Sequence, residues 1–66
     1  MYILTSKKLL LPKVCTKKRL RHYILKLRNS KTKVWCDLYI ISQRTRIPFF
    51  VSRDTSVREL MRELTS

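Results

Sequence analysis

No glycine occurs anywhere in this chain. Glycine enters left-handed backbone without steric cost, so its absence removes glycine-bearing hairpin turns, glycine-rich phosphate loops and the GxGxxG dinucleotide turn. Any anion bound here must therefore be held by side chains. Those are plentiful: 16 Lys and Arg stand against 4 Asp and Glu, a net charge of +12. Their placement is uneven. Residues 1–33 carry Lys7, Lys8, Lys13, Lys17, Lys18, Arg19, Arg21, Lys26, Arg28, Lys31 and Lys33 with no acid, whereas residues 34–66 hold five arginines and all four acids. Self-repulsion of this size in a small body is relieved by a polyanion, and each phosphate neutralised also releases condensed counterions.

The 66 residues allow one small domain, 1–66, because a chain this short hides only about 60% of its unfolded surface. Hydrophobic residues make up 44%, enough to drive folding. Cys15 and Cys36 read as reduced thiols, and the apolar start is broken at Lys7 and Lys8 before it could span a bilayer. An intracellular protein, in the cytoplasm or the nucleus or nucleoid, is the expectation.

The most legible element is C-terminal. Val57, Leu60, Met61 and Leu64 recur at helical spacing while Arg58, Glu59, Arg62 and Glu63 take the outside, and Ser56 with Glu59 forms a capping box. A helix is expected over 56–65, with Leu60 among its core contacts and Leu60→Ala costing about 2 to 5 kcal/mol. Residues 34–41 and 46–52 have aromatic and β-branched strand composition and form a hairpin across Ser42–Thr45, with Pro48 placing its strand at an edge. Residues 20–28 fit a helical stripe through Leu20, Ile24 and Leu27, or a strand through Tyr23, Leu25 and Leu27; the strand is preferred because a turn at 29–32 follows directly. The expected fold is α+β: a three-stranded antiparallel meander over 20–52 with the C-terminal helix on one face. Residues 1–19 form a basic arm or first element, as a strand or a short helix.

Strand, strand, strand, helix is also the order of arm-type DNA-binding domains of integrases, to which the chain is similar at the level of pattern, and double-stranded-RNA-binding domains share it behind an extra helix. Residues 51–60 resemble the strand-into-helix step of ubiquitin-like and Ras-binding domains. That stretch covers less than half the chain, and no family is assigned on it.

Catalysis is not expected, because His22 is the one imidazole and nothing orients it against Cys15 or Cys36. Cys15, His22 and Cys36 lack a fourth zinc ligand and the usual ligand spacing, so neither a metal nor another cofactor is expected. In strand register, His22, Ile24, Lys26 and Arg28 would share a face with Trp35, Asp37 and Tyr39, mixing cations with flat rings as a nucleic-acid surface does. The favoured alternative for the rings is a second small core of Trp35, Tyr39 and Phe50 under residues 2–11.

The expected function is thus a small non-enzymatic nucleic-acid-binding protein, as a viral or phage accessory protein or a ribonucleoprotein subunit. Its candidate contacts are Lys17, Lys18, Arg19, Arg21, Lys26, Arg28, Lys31, Lys33, Trp35 and Tyr39. Arg58 and Arg62, offset by Glu59 and Glu63, are set outside that footprint. The alternative is a protein-interaction module that pairs the outer edge of the 47–51 strand with an acidic or host partner. A third possibility is attachment to an anionic membrane through Lys7–Leu11 and the basic run Lys17–Arg21.

Overall fold

The computed structural model describes residues 1–65. In chain order the elements are β1 (Tyr2–Ser6), β2 (Lys13–Cys15), α1 (Lys17–Leu27), β3 (Val34–Ile40), β4 (Thr45–Val51) and α2 (Val57–Thr65). The fold is α+β. One antiparallel sheet has the order β2-β1-β3-β4. Because β2 and β3 both run against β1, they are parallel to each other with β1 between them, and α1 joins them as the crossover of a split β-α-β unit.

The 34–51 hairpin and its edge are as the sequence implies. Residues of β3 alternate strictly between buried and less buried, and Pro48 lies on β4, the outer strand beyond β3. The turn spans residues 41–44, one residue earlier than expected, and Arg44 takes the left-handed conformation with φ 51°. At the second helix, the Glu59 N–H donates to Ser56 Oγ at 3.4 Å, which is half of the expected capping box.

Residues 20–28 are not a strand. Residues 20–27 belong to α1 and Arg28 is its C-cap, while the helix start is signed by Thr16: its hydroxyl accepts from the Arg19 N–H at 3.4 Å. From there Leu20, Ile24 and Leu27 form one buried stripe. The helical period prevails because the segment is built of good helix formers, with Ile24 its one β-branched residue. It ends as the Asn29 and Ser30 N–H groups close tighter bonds onto Lys26 and Leu27. The third strand of the meander is instead β1, which pairs Tyr2 with Ile40 and Ser6 with Cys36. The sheet is therefore drawn from both ends of the chain, and the N-terminal segment is a β1–β2 hairpin.

Both helices cover one face of the sheet. Leu4, Cys15, Val34, Cys36, Leu38, Ile40, Phe49 and Val51 from the strands and Leu20, Ile24, Leu27, Val57, Met61 and Leu64 from the helices make one core. Leu60 packs at its margin, half-buried. Among the described residues, no element covers the opposite face of the sheet.

Candidate nucleic-acid interface

The sheet divides the candidate residues between two sides of the molecule. On the helix side, α1 holds Lys17, Lys18, Arg19, Arg21 and Lys26 exposed, together with His22, whose ring meets Tyr23 edge-on at 6.3 Å. No acid lies in the first turn of this helix. Lys17 and Arg21 fall at i and i+4, on the flank turned to α2, and Lys17 lines one shallow hollow with Arg58, Met61, Arg62 and Thr65. At the other end, Arg28 donates from Nη2 to the Arg53 carbonyl at 3.0 Å, and its Nε is buried without a hydrogen-bond partner. Arg28 thus ties α1 to the segment before α2, so it is partly withdrawn from any ligand.

Arg58 and Arg62 were masked in the sequence by their acidic neighbours. The readable signal was spacing: Arg58 and Arg62 stand at i and i+4 and so make a row of their own, with Glu59 three residues before Arg62 at its flank. The arginine row faces the hollow beside Lys17 and extends the cationic surface of α1 onto α2.

On the open side of the sheet, Trp35, Tyr39 and Phe50 do not form a second core. Trp35 is 63% exposed, Phe50 43% and Tyr39 37%. The reason is topological: residues 2–6, which were to lie over these rings, are a strand within the same sheet. Trp35 sits opposite Phe50 in register, and the rings meet edge-to-face at 5.4 Å. Lys33 places Nζ 4.8 Å from the centre of the Phe50 ring. Lys7 and Lys8, at the end of β1, line a hollow with Lys33 and Trp35. Phe50 is on the open face by the register of the β3–β4 hairpin, and Lys7 and Lys8 join it there; the two lysines could not be placed until β1 was known to pair with β3. Lys31 lies exposed in the connection to β3.

The mixed face expected from strand register, with Lys26 and Arg28 beside Trp35 and Tyr39, therefore does not exist. Moving residues 20–28 out of the sheet carries those cations to the far side. No known protein family, curated protein or solved structure matches this chain.

The thiols lie within the core. Cys15 and Cys36 are free and buried on the covered face of the sheet, and burial pushes both thiols above their ordinary pKa. His22 is on the outer surface of α1, so the three residues are not brought together. Among the described residues, no group of three or more His, Cys, Asp or Glu is arranged to hold a metal ion, and no helix is long and apolar enough to cross a membrane.

Proposed function

We propose that this is a small, non-enzymatic nucleic-acid-binding protein whose helix side grips phosphate backbone. The observation that carries this reading is the solvent face of α1: Lys17, Lys18, Arg19, Arg21 and Lys26 are exposed there without an acid among them. Helix stability does not explain that arrangement. Cations in a first turn oppose the helix dipole at about 0.3 to 1 kcal/mol each, and Lys17 repels Arg21 one turn on. A polyanion lying along α1 and the Arg58/Arg62 row reverses both effects and releases counterions. Contacts of this kind position a nucleic acid without reading its sequence.

The protein-interaction alternative has the outer edge of β4 at its disposal. Pro48 interrupts that edge, because it offers no N–H to a partner strand. Strand pairing at that edge makes no use of the helix-side cations unless the partner is itself acidic and reaches α1.

The test is a titration of the whole chain against duplex DNA, duplex RNA, single strands and anionic vesicles at low and high salt. Nucleic-acid affinity that falls steeply as salt rises supports the reading. No binding to any nucleic acid at low salt overturns it.

A further inference from the structure

We infer that the open face of the sheet is a second nucleic-acid site, separate from the helix side, on which unpaired bases stack. The inference rests on the nucleic-acid reading above and specifies the form recognised: single-stranded, or with bases splayed out of a helix. Trp35 is the one tryptophan of the chain, and most of its surface is in water, more than that of either Phe50 or Tyr39 on the same face. It stands on β3, a central strand, where the Ser6 hydroxyl donates to its carbonyl at 2.9 Å. Phe50 meets it edge-to-face, so the pair presents apolar ring surface on a rigid frame. Little side-chain freedom is lost when a base lands there.

Charge complementarity selects the occupant. Lys7, Lys8 and Lys33 surround the Trp35–Phe50 end of the face, as required to hold phosphates on either side of a stacked base. Next along the sheet, Thr5 and Asp37 lie across from each other in register, and with Trp35 and Lys7 they line an adjoining hollow. A hydroxyl and a carboxylate there can bond base edges. A duplex keeps its bases stacked inside and offers them no ring face to cover. A second copy of the chain would bring another +12 against these lysines.

Trp35 itself is the reporter. The whole chain is titrated at low salt with a fluorescein-labelled thymidine oligonucleotide of about twelve nucleotides, a labelled duplex of similar length, and phosphatidylserine vesicles, following label anisotropy and, with unlabelled copies, tryptophan emission. The single strand is expected to quench Trp35, while the duplex binds with little change in emission. Trp35→Ala is expected to weaken single-strand binding about 5- to 150-fold and leave duplex binding unaltered, with Trp35→Phe retaining most of the affinity. Circular dichroism of each variant verifies folding.

Single strands that bind without quenching, and equally well to Trp35→Ala, overturn the stacking site while leaving the helix-side function intact. No nucleic-acid binding at all removes both. A blue shift with vesicles alone assigns the face to membrane, and one that grows with protein concentration alone assigns it to a second copy; either overturns the inference.

Discussion

Arg44 closes the β3–β4 turn at φ 51°, a conformation that glycine enters freely and other residues at a cost of about 1 to 2 kcal/mol. The cost is a direct outcome of a glycine-free composition. Asparagine tolerates this region better, so Arg44→Asn is expected to stabilise the fold by about 0.5 to 1 kcal/mol in urea unfolding. A destabilised variant would show that the arginine side chain secures the turn. In the core, the half-buried place of Leu60 shifts the burden to Met61. Met61→Ala is expected to cost about 2 to 5 kcal/mol, and Leu60→Ala clearly less, which urea midpoints of the two variants compare directly. The thiols supply a third check. Their folded pKa values are raised by burial, so the folded state favours the protonated form. That contribution is complete below the unfolded thiol value near 9.0 and is lost as pH rises through the folded value. Iodoacetamide is therefore expected to label Cys15 and Cys36 slowly in native protein at pH 8 and rapidly in urea; equal rates would place the thiols at the surface.

At the scale of elements, α1 sets fold stability against binding. Replacing Lys17 and Lys18 by Glu puts acids at the positive end of the helix dipole, so the double variant is expected to gain about 0.6 to 2 kcal/mol in thermal or urea unfolding while losing affinity for duplex DNA. Loss of both stability and binding would mean that the lysines serve the fold. This helix was also the hardest element to read. Leu20, Ile24 and Leu27 suit a helix and Tyr23, Leu25 and Leu27 a strand; what separates them is Thr16, an N-cap one turn before Leu20, outside the ambiguous window. The β3–β4 hairpin and α2 were legible because each carries its own period, its own breaker at Pro48 or its own cap at Ser56. By contrast, β1 has five residues and β2 three, too few for any period, and their pairing partners lie far along the chain or across an irregular loop. Only the closed sheet identifies them.

Across the whole molecule, the sheet separates two chemistries that the sequence had combined. The cations of α1 are exposed, with Arg28 half-buried at its end, and the rings are exposed where a second core was favoured for them; the face they were to share dissolved when 20–28 left the sheet for α1. What remains is a cationic helix side, extended by Arg58 and Arg62, and an aromatic sheet side with its own lysines. If the helix side holds backbone, Arg58→Gln with Arg62→Gln removes up to about two phosphate contacts despite the neighbouring glutamates, and the salt slope on duplex DNA drops by at most about 1.8. The most direct test of the central claim is the slope of log affinity against log salt for the parent and for the variant with Lys17, Lys18, Arg19 and Arg21 all changed to Gln, on one duplex. Each backbone contact contributes about 0.9, so the predicted result is a slope flatter by roughly 3 to 4 in the variant, and equally so on a duplex of unrelated sequence. An unchanged slope in the variant, or a parent with no slope at all, would contradict it.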